Sequence, residues 1–421
     1  MATFETFNLL QELAQAIEEA GYKQPTPIQM EAIPKIFEGT DLRATAQTGS
    51  GKSAAFLLPI IHRIASTPGP KAPRALIVVP TRELAMQLQT QVEKYTKYLR
   101  KIRSVCVYGG VPIFKQLRQV MKPHDILIAT PGRLIDFIKR KKSKLAHIEM
   151  LVLDEADRML DMGFVEPVRE IVAAIPPNRQ TLLFTATLQQ GVKKLSEELL
   201  NQPFDIAVKQ NEAGHQNIKQ ILHYVDDIHY KNRLLNHILR QEGIDTTIVF
   251  TATKRQAGLL VEELEEKGHQ IAALHGDMNQ RQRTRTLAML RQGKIKTLIA
   301  TDVAARGIDV SSISHVINYD LPQCTEDYVH RIGRTGRAGA HGTALSFVAR
   351  RDLTMLKKIE KYTGKAIDVV DVEGFQPPRM NKDAFHGEKR SKSRGPRRGG
   401  GGFFCRTRRK RAQPAGARRS R

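Results

Sequence analysis

The sequence predicts an α/β protein of two tandem domains, each built on a parallel sheet with a cleft between them, followed by a disordered basic tail. Three observations carry this. Short β-branched apolar runs alternate with longer amphipathic stretches between residues 42 and 187, which is the pattern of βαβ units. The same alternation begins again after residue 216. Beyond Gly374 it stops, and Pro, Gly, Arg, Lys and Ser take over, as in RGPRRGGGGFF at 394–404. That composition cannot bury enough apolar area to offset the entropy of ordering.

In chain order, residues 42–45 predict a strand, 46–53 a turn and 53–61 a helix. Strands follow at 75–79, 104–108, 126–129, 150–153 and 181–184, the first two separated by TRELAMQLQTQVEKYTKYL with apolar positions at helical spacing. The polar stretch VKQNEAGHQN, 208–217, predicts a linker. In the second half, 248–250, 271–274, 297–300, 315–318 and 344–348 read as strands, with helices such as 254–267 and 280–291 between them. The domains expected are 1–207, 218–372 and a tail at 373–421.

At 421 residues the chain has room for two domains and an extension. No stretch approaches the roughly 18 apolar residues of a membrane span, and the start has no basic segment ahead of an apolar run. A soluble protein of the cytoplasm, without membrane partner, is the expectation. Cys106, Cys324 and Cys405 stand singly and the 13 histidines show no paired spacing, so no zinc site is predicted. The net charge of +24 calls for a polyanionic partner. The segment 379–421 supplies +14 of it, so the remainder is basic in its own right.

Ala46 to Ser53 reads AQTGSGKS between a strand and a helix. Gly49 and Gly51 let successive N–H groups of Thr48, Ser50 and their neighbours face phosphate oxygens at a helix N-terminus. Lys52 then reaches the β- and γ-phosphates, and Ser53 offers a hydroxyl to Mg²⁺. Ala46 stands where such loops commonly begin with glycine. A Gly-Lys-Ser met by chance is the alternative, and residues 151–155 weigh against it. Leu151, Val152 and Leu153 deliver Asp154 and Glu155 at a strand end, where a nucleotide's metal must be held. Asp154 would hold Mg²⁺, partly through water, and Glu155 would deprotonate the attacking water. Helix capping would need one such carboxylate, not two.

Asp154-Glu155-Ala156-Asp157 also spells the signature of the DEAD-box RNA helicases of superfamily 2, and the resemblance spreads along the chain to about residue 372. In order stand GYKQPTPIQ at 21–29, PTRELA at 80–85, Gly109-Gly110, TPGR at 130–133, TAT at 185–187, HGDMNQRQR at 275–283, ATDVAARGID at 300–309, YDLP at 319–322 and HRIGRTGRAG at 330–339. The resemblance implies RecA-like domains that clamp ATP and RNA between them. The compact core looks like the bacterial RhlE-type branch.

Gln29 resembles the glutamine that reads the adenine edge, and Phe4 stands where the family places an aromatic against the base, although Phe4 and the nearby Phe7 could equally be core. Arg334 and Arg337 look like arginine fingers for the γ-phosphate, and Asp309 like the ribose contact. Asp157, Thr185, Thr187 and His330 look like residues that couple the nucleotide site to the domain interface. RNA contacts carry over to Thr81, Arg82, Gly109, Gly110, Thr130 and Arg133, and to Gly276, Gln280, Arg283 and Thr301. Amides, hydroxyls and arginines of this kind bind phosphates and sugars without selecting sequence. Each also has a plain structural reading as a turn, a helix start or a solvated face. Thr185 replaces the family's usual serine and Ser53 its commoner threonine; both keep a hydroxyl.

The resemblance implies an RNA-dependent ATPase that opens short duplexes locally. A binding protein with a vestigial ATP site, a DNA helicase and a small-molecule kinase are the rivals; Glu155, Arg334 and Arg337 weigh against the first, the DEAD spelling and the GYKQPTPIQ motif against the second, and the second domain's arginines and the +14 tail against the third. The tail resembles RGG-like segments, with Phe403 and Phe404 as stacking platforms, or else it is a solvated extension. Ribosome-assembly and RNA-decay complexes are partners that suit the class.

Overall fold

In the computed structural model, which describes residues 3–47, 49–99, 102–142, 144–208, 217–305, 313–336 and 340–375, two seven-stranded parallel sheets follow one another. The first contains β1 (Leu42–Thr45), β2 (Ala75–Val78), β3 (Ser104–Val107), β4 (Ile126–Ala129), β5 (Met150–Leu153), β6 (Gln180–Thr185) and β7 (Phe204–Ala207), in the order β3-β4-β2-β5-β6-β1-β7. The second contains β8 (Ile218–Tyr224), β9 (Thr247–Phe250), β10 (Ile271–Leu274), β11 (Thr297–Ala300), β12 (His315–Asn318), β13 (Gly342–Val348) and β14 (Asp368–Val369), in the order β10-β11-β9-β12-β13-β8-β14. Adding seven to each strand number of the first order yields the second. The domains are RecA-like α/β units of one design.

The central strands explain why their sequences are continuous apolar runs rather than alternating ones. Helices cover both faces of a parallel sheet, so β2, β4 and β5 are buried at every residue. Successive side chains still point to opposite faces. Ile77 packs with the helices Lys52–Ser66 and Arg82–Tyr95 through Phe56, Ile60 and Leu88, while Leu76 and Val78 pack on the other side with Leu134, Phe137 and Val168. Each face thus has its own core, and the strand ends are left to carry chemistry.

Every strand read from the sequence is present, ending one residue earlier at Val78 and at Val107. Three further strands, β7, β8 and β14, carried no clear apolar run. In β7 only Ile206 is buried, as suits a sheet edge. The expected linker, apart from its first and last residues, and the tail expected to be disordered from residue 373, apart from residues 373–375, lie outside the described residues; Phe375 pairs with Val372 and packs on Tyr230 and His237, so the ordered chain runs to at least that residue. Among the described residues no helix is long and apolar enough to cross a membrane.

Candidate nucleotide and RNA site

The turn expected to bind phosphate sits at the C-terminal end of β1. Gly49 (φ +84°) and Gly51 (φ +93°) hold left-handed backbone conformations that other residues reach only at a cost. Gly51 has a second reason to be glycine: a Cβ there would lie 2.5 Å from Nε2 of Gln29. That Nε2 donates to the Gly51 carbonyl at 3.1 Å, and Oε1 of Gln29 accepts from the Thr26 amide at 3.0 Å. Gln29 is wholly buried, so its position ties the turn to the helix Pro27–Phe37. Ser50 Oγ donates to the Gln47 carbonyl at 2.8 Å. Lys52 is 7% exposed and donates to the Ala46 carbonyl at 2.7 Å. Ser53 follows it in the first turn of the helix Lys52–Ser66. Thr48 lies outside the described residues.

Asp154 and Glu155 leave β5 facing this turn. Asp154 is buried, which pushes its carboxyl up to about 7; the nearby Lys52 pulls against that rise, and Glu155 adds to it. Its Oδ1 accepts from the Glu155 amide at 2.9 Å. A carboxyl so placed ionises fully when a further cation approaches, so the donor set fits a magnesium-bound nucleotide. Glu155 itself has φ +55°, a left-handed conformation rare outside glycine. It turns the chain from β5 directly into the helix Ala156–Asp161.

Asp157, in the first turn of that helix, binds the TAT segment. Its Oδ2 accepts from the amides of Ala186 (3.1 Å) and Thr187 (2.9 Å) and from Oγ1 of Thr187 (3.1 Å). Thr185 is wholly buried and donates to the Thr187 carbonyl at 2.7 Å. The added methyl of Thr185 is therefore accommodated in the core with its hydroxyl used. The next residue after Asp157, Arg158, reaches into the second domain, donating from Nη1 to Oδ1 of Asp327 at 2.7 Å. Beside this pair His330, Arg331 and Arg334 line a narrow gap with Asp302 and Phe250. Arg331 is fully committed there: Nε and Nη2 hold both oxygens of Asp302 at 2.6 and 2.7 Å, and its guanidinium lies 4.9 Å from the centre of the Phe250 ring. Arg337 and Asp309 lie outside the described residues.

The RNA-facing candidates divide into two groups. Thr81 caps the helix Arg82–Tyr95, accepting from the Leu84 amide. The Arg82 guanidinium lies on the backbone of Gly109 and Gly110, where a Cβ on Gly110 would come within 1.9 Å of Nη1. The paired glycines are thus a seat for an arginine. Thr130 starts the helix Pro131–Lys139. In the second domain Gly276 is open on its Cβ side, and Gln280 Oε1 and His275 Nδ1 are buried polar atoms with no hydrogen-bond partner among the described residues. Thr301 follows β11 on the same strand-end side.

Arg133 and Arg283 are placed differently. Arg133 donates to Gln116 Oε1 (2.7 Å) and to the Val111 carbonyl (2.9 Å), bracing the loop after the glycine pair. Arg283 is 8% exposed and bridges the domains, donating to Glu83 Oε1 at 2.9 Å and to the Ala304 carbonyl at 3.0 Å. Phe4 is 9% exposed and packs edge-on to Phe7 and Tyr22 in the first core. Residues missed in the sequence are the interdomain partners Glu83, Arg158 and Asp327. Glu83 lies inside PTRELA and the other two flank recognised motifs, but nothing in a sequence marks which charge will find a partner in another domain.

The chain matches two family models: DEAD/DEAH box helicase over residues 26–195 and the helicase conserved C-terminal domain over residues 230–339. It is 40% identical over 392 residues to the DEAD-box ATP-dependent RNA helicase CshA of Geobacillus kaustophilus, covering 93% of this chain and 81% of that one. To the ATP-dependent RNA helicase DeaD of Mycobacterium tuberculosis it is 43% identical, covering 87% and 64%. Among solved structures, S. cerevisiae Dbp5 bound to RNA and ADP BeF3 superposes with a TM-score of 0.80 at 32% identity, covering 88% and 96% of the two chains.

Proposed function

We propose a residue-level mechanism from one premise: the chain belongs to the DEAD-box ATP-dependent RNA helicases, and is an RNA-stimulated ATPase that unwinds RNA with closure of its two domains. In the proposal, Lys52 leaves the Ala46 carbonyl for the β- and γ-phosphates of ATP. Ser53 and Asp154 would hold the substrate's magnesium, which would supply charge neutralisation at the transferring phosphoryl group. Gly49, Ser50, Gly51 and Thr48 line the phosphates, while Gln29 and Phe4 define the base pocket. Glu155 takes a proton from the attacking water. Arg334 and Arg337 stabilise the charge on the phosphoryl oxygens, with Asp309 on the ribose. Because those arginines belong to the second domain, hydrolysis requires closure.

The observation that supports this most is the run Asp154, Glu155, Asp157, Arg158. Within five residues it offers a metal ligand, a base, a carboxylate holding Thr187, and an arginine paired with Asp327 of the other domain. A change at the phosphates is thereby linked to the domain interface. We assign RNA contact to Thr81, Arg82, Gly109, Gly110, Thr130, Gly276, Gln280 and Thr301, and to Arg133 and Arg283 a bracing part in forming that groove. Closure bends one strand and expels its partner. At roughly 1.4 kcal/mol per stacked step, one closure opens only a few pairs.

We divide the chain into 1–207, a linker at 208–217, 218–372 and a tail from 373, in keeping with a first sheet that ends at Ala207 and a second that begins at Ile218. Cytoplasmic RNA, single-stranded or in short duplexes, is the substrate we propose, with ribosome-assembly or RNA-decay complexes as its setting. A RhlE-type branch rests on the compact core alone, and the curated relatives above bear the names CshA and DeaD. The test is the ATPase rate with no nucleic acid, with single-stranded RNA and with single-stranded DNA, in wild type and Glu155→Gln. Stimulation by RNA alone, lost in the variant, supports the assignment of Glu155; undiminished stimulation in the variant removes it.

A further inference from the structure

The end of the first domain opposite the nucleotide site carries a basic hollow that the helicase mechanism does not use. It has a volume of about 660 Å³ and opens between the segments that enter β2 and β5 and the end of the helix Pro131–Lys139. Lys71, Lys141, Lys144 and His147 line it above an apolar floor that includes Ile138 and Leu145, and no acidic residue lines it. The nucleotide and RNA residues leave the C-terminal ends of the strands, whereas these segments lead into the N-terminal ends. A helix of nine residues joins the two ends, about 14 Å in length.

Two features distinguish this hollow from an ordinary solvated face. The segment 139–144 reads KRKKSK, five cations in six residues, and among the described residues only Lys139 has an acidic partner, Glu170 at 3.4 Å. Solvated charge runs usually mix signs at helical spacing, because like charges side by side are unfavourable. Lys141 also occupies a backbone position suited to glycine. Its φ is +53°, its amide bonds to the Ile138 carbonyl (2.8 Å), and the Lys142 amide bonds to the Phe137 carbonyl (2.9 Å). These two bonds form the helix-ending motif whose left-handed residue is most often glycine. Lysine stands at that position despite both backbone strain and charge repulsion, and an outlier of this kind points to function.

We infer that this hollow is a second RNA-binding surface, taking phosphates of the strand that flanks the segment held at the clamp. Lysines act as point charges on a phosphate chain without selecting sequence. His147 adds a ring on which an unpaired base can stack. The occupant is RNA rather than an acidic protein because, resting on the RNA contact proposed above for Thr130, the other end of the same helix faces the clamped RNA, so a flanking strand is delivered at high local concentration.

The test uses the full chain with Lys71→Gln, Lys141→Gln and Lys144→Gln combined. Affinity is measured over a salt series for a short oligonucleotide that fills only the clamp and for the same sequence with a long single-stranded extension. The extended RNA binds roughly tenfold more weakly and its salt slope falls by about 2, at about 0.7 for each phosphate no longer neutralised; the short oligonucleotide and its ATPase stimulation are unchanged. A single Lys141→Gly variant weakens the extended RNA while its Tm is equal or higher, opposite in sign to damage to the fold. Unchanged affinity for the extended RNA overturns the proposal, even if the hollow then proves to take an acidic protein. So does an equal loss for the short oligonucleotide, or an equal loss from Lys357→Gln, Lys358→Gln and Lys361→Gln on the second domain, which would reduce the effect to net charge.

Discussion

The two sheets share one strand order, and the residues after corresponding strands can be laid side by side. After β1 the chain turns through Gly49 and Gly51, and Lys52 stands seven residues beyond Thr45; after β8, Lys231 stands seven residues beyond Tyr224. Between Tyr224 and Lys231, however, there is no glycine, and Asp226 and Asp227 occupy the turn. After β5 come Asp154 and Glu155, and after the corresponding β12 come Tyr319 and Asp320. In the second domain the counterparts meet directly: Lys231 Nζ donates to Asp320 Oδ1 at 2.8 Å, lies 4.2 Å from the centre of the Tyr319 ring, and is 6% exposed. A lysine and a carboxylate that flank a phosphate site in one domain neutralise each other in the other. Carboxylates in the turn would repel phosphate and the ion pair already neutralises the lysine, in keeping with the nucleotide site proposed for the first domain, so a few strand-end residues set two copies of one fold apart.

The sharpest way to break that comparison is to mutate the corresponding carboxylates. Glu155→Gln lowers RNA-stimulated ATP turnover by about 10²–10⁴-fold, the range for removing a general base. Asp320→Asn leaves turnover within a few-fold of wild type but lowers stability by about 3 kcal/mol, because Lys231 is left buried without its counter-charge. Thermal denaturation separates the two, and Lys231→Met combined with Asp320→Leu recovers most of the loss. Equal ATPase losses from Glu155→Gln and Asp320→Asn would end the distinction between a working and a neutralised site.

A smaller effect follows from the bridges between domains. Arg283→Ala takes from the buried Glu83 its guanidinium partner, and Arg158→Ala takes from the half-buried Asp327 its ion pair across the domains. Each loss, about 1.4 kcal/mol or more, weakens RNA binding in the presence of a non-hydrolysable ATP analogue by roughly tenfold, read by fluorescence anisotropy. Unchanged anisotropy curves would show that these pairs are not kept when RNA is bound.

The acid at the end of β5 predicts a pH dependence. Burial raises the Asp154 carboxyl to about 7, whereas an unfolded aspartate sits near 3.9. The folded protein therefore binds more protons between roughly pH 4 and 7, and this group's contribution to stability falls as pH rises through that window. Asp154→Asn removes the slope, so the drop in Tm between pH 5 and 8 is smaller in the variant, by about 2–4 °C per kcal/mol. Identical pH profiles for the two proteins would mean that Asp154 ionises normally. The mildest change is Thr185→Ser, which keeps the hydrogen bond to Thr187 and removes one buried methyl. It costs about 1 kcal/mol by denaturant titration, with duplex unwinding unchanged; a marked change in unwinding would make that methyl part of the coupling.

The strand-end chemistry was legible because it is local. A buried strand must be an apolar run, a phosphate turn needs glycine at left-handed positions and a lysine just beyond it, and both requirements are written within a few consecutive residues, as at Gly49 to Lys52 and Leu151 to Glu155. Two α/β domains, a glycine-and-lysine turn after one strand and paired carboxylates after another can thus be read without the structure. The edges β7 and β14, with little to bury, left no pattern. What only the tertiary structure decided is the fate of charges whose partners are far along the chain. Arg283 reads as one more cation for RNA until Glu83, 200 residues earlier, is brought against it, and Arg133 reads likewise until Gln116 and Val111 enclose it. Lys231 and Asp320 are ordinary surface residues in the sequence and a buried pair in the fold. A charge's role depends on which opposite charge the packed chain brings within a few ångströms, and separation along the sequence carries no information about that distance.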